Sequence, residues 1–348
     1  MTETKTSKEY YLFIEPLLSL IARDGRPFGP NGNDRMHSLD WFYPSTLAGA
    51  VRTLLGKLAE QSGWMKDPFS KSGIIKLKSL SIVGPFPCAD GQIFFPVPKD
   101  AHFYREKDGK PGIARRVPVR PGAGEGCNLP HEQLWPAELV GDVPHKSDHP
   151  APAFWSFARM VKWLELETFG EEREMPAFPK ETRVHVKISS QSYTAEEGQL
   201  FFTTGLAFPL GTGIAARVST DDDGFAKMLS HLNALHPLGG ERRLAHFSAD
   251  HGQRWDLPGS LIRKFEACSG LRMILASPAI FHEGWKPAWL NDQLEGAPPG
   301  VNHLRLKLRG VCMNPWKAIS GWDYHTGLQK PVRRMVPAGS VYFFEVME

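Results

Sequence analysis

The distribution of apolar residues along the chain predicts short strands and a few amphipathic helices. The aromatic and β-branched run Tyr10–Leu18 predicts a buried first strand. Ser45 is a suitable N-cap for a helix that follows it. The apolar residues of that helix recur at helical spacing on one face: Leu47, Val51, Leu54, Leu55 and Leu58.

The next segments continue as strands and then lose their regular pattern. Strands are predicted at Ile74–Val83 and Gln92–Val97, which gives the order strand, helix, strand, strand, the first part of a split βαβ unit. From Lys99 to Pro150, proline, glycine and charged residues predominate, and an insertion or a mobile loop is predicted. A helical stripe resumes within Ala153–Phe169.

The second half of the chain opens with a hairpin pattern. Val184, Val186 and Ile188 alternate with polar residues, and a turn near Glu197–Gly198 leads into Leu200–Phe208. The remaining predicted elements are helices at Asp222–Leu235 and Leu257–Cys268 and strands at His236–Phe247, Leu271–Phe281, Val301–Cys312 and Val341–Val346. Helices and strands do not alternate strictly, which favours an antiparallel α+β fold over a doubly wound sheet.

Composition adds size, compartment and charge to this picture. A chain of 348 residues with 41% hydrophobic residues suggests about two globular domains. Four dispersed cysteines indicate reduced thiols, and Met1–Glu9 has no apolar signal region, so a cytoplasmic protein without a membrane span is expected. Because the net charge is only +3, any nucleic-acid contact must come from local patches.

Signatures of cofactor, nucleotide or metal enzymes are weak. Gly211–Ala216 (GTGIAA) matches a dinucleotide loop superficially, but a polar stretch follows it and a turn is the better interpretation. There is no P-loop spacing and no G-x-S-x-G elbow. His145 and His149 have helical metal-ligand spacing, but Pro144 and Pro150 flank them. No cofactor and no metal site are therefore predicted.

Local basic clusters are the stronger signal. One lies within Arg105–Arg120 and includes Arg115 and Arg116, and another lies within Val301–Arg334. In the second cluster, strand spacing places Arg305, Lys307 and Arg309 on one face and leucines on the other. Taken alone, that face favours a solvated sheet surface. The following segment interleaves Trp322 and Tyr324 with Lys330, Arg333 and Arg334, a mixture suited to unpaired bases and phosphates.

Five motifs in a fixed order make the chain resemble a known family. They are RDGRPF at Arg23–Phe28, the helix after Pro44–Ser45, the hairpin Arg183–Phe201, PLGGERRLAHF at Pro237–Phe247, and the segment Ser320–Phe344 containing KPVRRMVPAGSVYFF. Together they resemble the third subunit of the Cmr module, a RAMP-superfamily protein of type III-B CRISPR–Cas effector complexes. The resemblance extends from about Tyr10 to Val346 and has least support in Lys99–Pro150.

The resemblance implies a fold, a function and partners. The fold would be two ferredoxin-like, RRM-like domains in tandem with glycine-rich loops. We place them at residues 1–180, with an insertion at about 99–150, and at 181–348. The function would be non-catalytic binding of the crRNA 5′ tag in antiviral defence. The partners would be the large polymerase/cyclase-like subunit and a backbone RAMP subunit, which this chain would bridge.

The predicted RNA contacts are arginines and lysines of these motifs and of the first basic cluster. They are Arg23, Arg26, Arg115, Arg116, Arg242, Arg243, Lys330, Arg333 and Arg334. Which of them face RNA and which face protein stays open, and a purely structural adaptor that meets only acidic proteins is one alternative. The other is a metal-independent endoribonuclease with His37 as general acid or base, followed by His185 and Tyr193.

Overall fold

The fold consists mostly of strands. The computed structural model describes residues 7–23, 28, 34–147, 151–170, 172–252, 255–301, 303–323 and 327–347. Within them lie five α-helices: α1 (Pro44–Gln61), α2 (Lys71–Lys78), α3 (Phe157–Glu165), α4 (Asp223–Ser230) and α5 (Gly259–Glu266). None of these helices is long and apolar enough to span a membrane.

The strands are numbered in chain order. The first are β1 (Lys8–Pro16), β2 (Ser81–Ala89), β3 (Gln92–Pro96), β4 (Ala101–Arg105), β5 (Pro111–Pro118), β6 (Ala137–Leu139), β7 (Phe154–Ser156), β8 (Glu174–Met175), β9 (Lys180–Ile188), β10 (Ala195–Leu206) and β11 (Thr212–Thr220). The rest are β12 (Asn233–Pro237), β13 (Leu244–Asp250), β14 (Gly270–Ile274), β15 (Glu295–Gly296), β16 (Arg305–Cys312), β17 (Lys317–Ile319), β18 (Trp322–Asp323), β19 (Leu328–Gln329), β20 (Arg333–Met335) and β21 (Val341–Met347).

The chain forms two compact units, each built from discontinuous segments. Unit 1 contains residues 1–94, 177–255 and 320–331, and unit 2 contains residues 95–176, 256–319 and 332–348. This division differs from the predicted consecutive halves 1–180 and 181–348. The physical reason is long-range strand pairing, because β1 pairs antiparallel with both β11 and β13.

Unit 1 has an antiparallel sheet in the order β12-β13-β1-β11-β2-β3. Along the chain, α1 lies between β1 and β2, and α4 lies between β11 and β13. In the sheet, β11 separates β1 from β2, and β1 separates β11 from β13, so the strands that each helix connects are not neighbours. The residues between β2 and β11 interrupt this path as a long insertion. GTGIAA does not form a nucleotide loop, because its glycine turn leads directly into β11.

Helix α1 packs its predicted apolar face into unit 1. Leu47, Val51 and Leu55 are fully or almost fully buried, and Leu58 is only half-buried. Burying each such side chain stabilises a fold by about 1.5–3 kcal/mol. The helix begins at Pro44 with Tyr43 as its N-cap, two positions earlier than an N-cap at Ser45 would give, because proline is favoured in the first turn.

Several local predictions were wrong where capping or pairing overrode the apolar pattern. The first part of the predicted strand Ile74–Val83 is helix α2, because the Ser70 hydroxyl caps it by accepting from the Gly73 amide at 3.3 Å. The predicted helix Ala153–Phe169 begins as β7, and Ser156 then caps α3. Helix Asp222–Leu235 ends at Ser230 and is followed by β12.

Unit 2 contains the region predicted as an irregular insertion. That region contains the sheet β4-β5-β6, whose strands lie between Ala101 and Leu139. A second sheet has the order β14-β21-β16-β15, and Leu306 and Leu308 of β16 enter its core as predicted. The helices of unit 2 among the described residues, α3 and α5, precede this sheet in the chain.

The charged face of β16 is held by ion pairs within unit 2. Lys307 Nζ lies 2.8 Å from Glu295 Oε1, and Arg309 Nη2 lies 2.6 Å from Glu345 Oε2. The guanidinium of Arg309 also lies 4.7 Å from the centroid of the Trp135 ring. Lys307 and Arg309 are therefore structural residues of the sheet.

A buried carboxylate holds distant segments of unit 2 together. Asp100 is 0% exposed, and its two oxygens accept from Trp163 Nε1 at 3.0 Å and from Arg272 Nη1 at 2.8 Å. Burial raises the pKa of Asp100, and the charge of Arg272 opposes that shift. These bonds join the start of β4, α3 and β14.

Asp100→Ala should destabilise unit 2 strongly. Removing one partner of a buried pair leaves the other charge uncompensated, so we expect the free energy of unfolding to fall by about 3–5 kcal/mol. The control is Asp108→Ala, which breaks the exposed pair with Lys110 at 2.8 Å and should change stability little. Denaturant unfolding of both variants measures the difference, and equal stabilities would contradict the structural role of Asp100.

Candidate nucleic-acid interface

Two of the arginine motifs, far apart in sequence, meet in unit 1. The Gly240 amide of the β12–β13 loop donates to the Ile21 carbonyl at 2.8 Å, two residues before Arg23. Gly239 has φ 79°, and a Cβ there would collide with the same carbonyl oxygen. The glycine pair is therefore required for the close approach of the two chain segments.

The loop that carries Arg242 and Arg243 has an unusual backbone. Glu241 and Arg242 adopt left-handed conformations with φ 54° and 49°. For a non-glycine residue this conformation costs about 1–2 kcal/mol, and such residues cluster at ligand-binding sites. The side chain of Arg242 is exposed, and among the described residues no carboxylate forms an ion pair with it.

Two ion pairs surround this loop. Arg243 lies 3.0 Å from Glu241 and is largely buried, while Arg183 of β9 lies 2.8 Å from Glu181. The hydrogen bond from Arg183 lowers the pKa of Glu181, and the charge of Arg243 adds to that shift. Arg243 and Arg183 thus have partly compensated charges, and the Arg243–Glu241 pair holds the loop, whereas Arg242 is available to a ligand.

The loop after β1 contributes further cations. Arg23 pairs with Ser38 through a backbone bridge, and its guanidinium lies 5.8 Å from the centroid of the Phe28 ring. Arg35 lies 5.0 Å from the ring centroid of Phe202 in β10. Arg26 lies outside the described residues. Sequence reasoning did not single out Arg35, because only the pairing of its segment with β10 places it beside Phe202.

The β9–β10 hairpin is confirmed and carries one apolar face. Val184, Val186 and Ile188 are exposed on β9, and Val186 pairs with exposed Leu200 on β10. The turn lies at residues 189–194, earlier than predicted, and the pairing is irregular between Ala195 and Leu200. This face is an apolar surface beside the arginine loops of the same unit.

Arg115 and Arg116 lie on β5 of unit 2 and not in an irregular loop. Arg115 donates to the carbonyls of Trp163 at 2.6 Å and Glu167 at 3.2 Å, and its guanidinium lies 3.8 Å from the centroid of the Trp163 ring. Burial lowers the pKa of Arg115 to about 10, and the charge of Arg272 also contributes. Arg116 contacts His102 at 3.4 Å. Arg115 therefore has a structural role in unit 2.

The C-terminal motif forms a basic hairpin. Arg333 and Arg334 are exposed on β20, which pairs with β17. The guanidinium of Arg334 lies 4.8 Å from the centroid of the exposed Trp316 ring. Burial, and then the charge of Lys317 on β17, lowers the pKa of Lys99 in the same unit. Arg334 and an exposed indole thus share one surface of unit 2.

The predicted contacts thus fall into two groups. Arg23, Arg242 and Arg243 lie on adjoining loops of unit 1. Arg115, Arg116, Arg333 and Arg334 belong to unit 2, and exposed Lys330 lies in the part of the hairpin assigned to unit 1.

The residues considered for RNA cleavage have ordinary surroundings. His37 is exposed, and His185 Nε2 lies 2.8 Å from Thr203 Oγ1 with its ring stacked on Phe201. Tyr193 is 83% exposed in the hairpin turn. Among the described residues, no cluster of histidine, cysteine or acidic side chains could hold a metal ion, and His149 lies outside them.

Comparison with known proteins identifies the class and the family. The chain has the fold of type III CRISPR effector subunits. It is 16% identical, with TM-score 0.52, to a chain of type III-B Cmr-beta bound to cognate target RNA and AMPPnP, covering 96% of this chain and 86% of that one. A chain of Cmr-beta bound to cognate target RNA gives 17% identity and TM-score 0.51 over the same shares.

The family follows from the sequence. The family model "CRISPR-associated protein (Cas_Cmr3)" matches residues 12–348. The chain belongs to this family, and its resemblance to the third subunit of the Cmr module, a RAMP protein, is confirmed. No curated protein matches the chain.

Gly239→Ala tests the contact between the two loops. We expect it to lower the free energy of unfolding by about 1–3 kcal/mol more than Gly91→Ala does, because overpacking against a backbone carbonyl adds to the strain of a positive φ. Gly91 has a similar φ of 70° but open space around it, so it reports the cost of a Cβ at a positive φ without a close neighbour, whereas Gly239 also has ψ −155°, a region that essentially only glycine adopts. Denaturant unfolding measures both, and equal losses would show that the loops do not need this approach.

Proposed function

We propose that the protein is a non-catalytic RNA-binding subunit of a type III-B effector complex, where it holds the crRNA 5′ tag. The observation that carries the proposal is the meeting of two glycine- and arginine-containing loops at the Gly240–Ile21 hydrogen bond. It places Arg242 and Arg23 on adjoining loops, one with a strained backbone that favours close approach by a ligand.

The chemistry of these loops suits phosphates. Guanidinium groups donate two parallel hydrogen bonds to a phosphate and keep their charge at neutral pH. Arg242 presents such a group at the surface, while Arg243 pairs with Glu241 within the loop and Arg183 pairs with Glu181 on β9. A few such contacts bind a short single strand without requiring a large overall charge.

The topology of unit 1 supports the same conclusion. Its order β13-β1-β11-β2, with α1 and α4 in the crossovers, is that of a ferredoxin-like domain, and we propose that unit 1 is one. RNA-recognition modules with a comparable sheet bind single-stranded RNA. For unit 2 we propose only that Arg333, Arg334 and Trp316 form a second RNA contact.

The role in assembly is part of the proposal. We propose that the chain bridges the large polymerase/cyclase-like subunit to a backbone RAMP subunit in the cytoplasm. The solved relatives of similar fold are components of Cmr-beta complexes with target RNA. The exposed apolar face of the β9–β10 hairpin supports a contact with another macromolecule, since exposed apolar patches mark interaction sites.

Charge reversal in the two loops should weaken RNA binding. For Arg23→Glu/Arg242→Glu we expect the Kd for a labelled RNA carrying the 5′ tag to rise about tenfold or more, because each lost contact is a charge-assisted hydrogen bond. The slope of log Kd against log salt should decrease by about 0.7 per lost contact. Fluorescence anisotropy measures both quantities.

The control is Arg263→Glu, which reverses the charge of an exposed arginine on α5 of unit 2. It should leave both the Kd and the salt slope close to those of the original protein. If the double variant kept the affinity and the slope as well, these loops would not be the RNA site.

The purified protein should leave RNA intact. Incubation with CRISPR repeat RNA in EDTA should give no specific product, and His37→Ala should behave as the unchanged protein does, because His37 is an exposed side chain and not a positioned acid or base. Gel analysis of the RNA measures this. A specific product that disappears in His37→Ala would favour an endoribonuclease instead.

A further inference from the structure

A second surface of unit 1 exposes large apolar side chains. It is formed by the end of α1, the connecting segment and α2, and is called here the α1–α2 surface, defined as residues 57–78. Trp64 is 36%, Phe69 44% and Ile75 71% exposed. An isoleucine exposed to that degree in the middle of a helix has no role in the core of this unit.

The α1–α2 surface is rigidly built. The Ser70 hydroxyl caps α2, and a Cβ at Gly73 would collide with the carbonyl of Pro68, so the connection lies directly on the helix. A Cβ at Gly56 of α1 would lie only 3.0 Å from the ring of Phe69, so this ring packs closely over the glycine. The apolar residues are therefore presented in a fixed arrangement, which lowers the entropy cost of binding a partner.

Lysines surround the apolar residues. Lys71 and Lys78 lie one turn before and one turn after Ile75 on the exposed side of α2, and Lys66 is exposed in the connecting segment. None of the three forms an ion pair within the described part of the chain. Asp67 and Glu60 are the acidic residues of this surface, so it stays basic.

The arrangement favours a protein over RNA as the ligand. Lys76 Nζ lies 4.0 Å from the centroid of the Trp64 ring and 3.0 Å from Asp222 Oδ2. Phe225 packs on the same indole at 4.9 Å, and a Cβ at Gly224 would collide with it. These contacts occupy the ring that a base would stack on, and an aliphatic Ile75 offers no stacking. An apolar centre with a charged rim is instead typical of protein interfaces.

We infer that the α1–α2 surface docks a protein subunit that presents carboxylates around an apolar contact. Ile75 enters that contact, and Lys66, Lys71 and Lys78 pair with the surrounding acids. The inference rests on the proposed function for the existence of an effector complex. It adds which surface of this chain binds one partner, which residues of that surface take part and what chemistry the partner presents.

The test compares two exposed apolar residues of unit 1. Ile75→Glu should raise the Kd for one protein subunit of the complex by about tenfold or more, as expected when a central interface residue is lost. Leu210→Glu, at a fully exposed leucine outside this surface, should leave that Kd unchanged. Binding of each separately purified effector subunit is measured by biolayer interferometry, and the co-expressed complex is examined by native mass spectrometry.

The lysines are tested in the same assays. Lys71→Glu/Lys78→Glu should raise the Kd for the same subunit, and rising salt should weaken the binding of the original protein to it. The affinity for tag RNA should stay within about twofold in Ile75→Glu and in Lys71→Glu/Lys78→Glu, because the substituted side chains lie outside the arginine loops. Lys107→Glu, at an exposed lysine of unit 2, is the charge control.

Each outcome decides the inference. Loss of one subunit with retained RNA binding supports it. Unchanged binding of every subunit overturns it, and a fall in RNA affinity instead would show that the surface binds RNA. If the unchanged protein joined no effector complex, the proposed function would fail as well. If the unchanged protein assembled normally and Ile75→Glu did not change the binding of any subunit, this inference would fail while the proposed function would stand.

Discussion

The pairing of β1 with β11 on one side and β13 on the other is the constraint on which unit 1 depends. It builds the centre of the sheet from strands of distant parts of the chain and brings the end of β1 beside the start of β13. Only then does the loop before β13 reach the segment after β1, where Gly240 donates to Ile21. The arginine loops are adjacent because β1 and β13 are neighbours in the sheet, and the two glycines permit the last approach.

Unit 2 depends on a different interaction, that of the buried carboxylate of Asp100 with its hydrogen-bond partners. A charge of this kind is tolerated in an interior only when it is paired and hydrogen-bonded, and Arg272 and Trp163 meet both needs. Arg115 also belongs to this group of contacts, because its guanidinium lies over the Trp163 ring. An arginine in a basic stretch of sequence is thus a structural residue, and proximity in sequence to other cations does not make it a ligand contact.

The basic residues of unit 1 lie in two different chemical surroundings. Arg242 and Arg23 lie on loops next to glycines, which suits phosphates. Lys71 and Lys78 flank an isoleucine on a helix, which suits a protein partner with acidic residues. A net charge of +3 conceals this division, because acids elsewhere balance the local patches.

The sequence by itself determined the elements whose patterns are local. The apolar run of β1, the helical stripe of α1, the β9–β10 hairpin and the leucine face of β16 follow from periodicities of two or 3.6 residues, and the order of motifs gave the family. The strands within 99–150, the discontinuous units, the structural role of Arg115 and the meeting of Gly240 with Ile21 were decided only by the tertiary structure. They depend on contacts between residues far apart in the chain, and no local spacing encodes which strand pairs with which or which charge becomes buried.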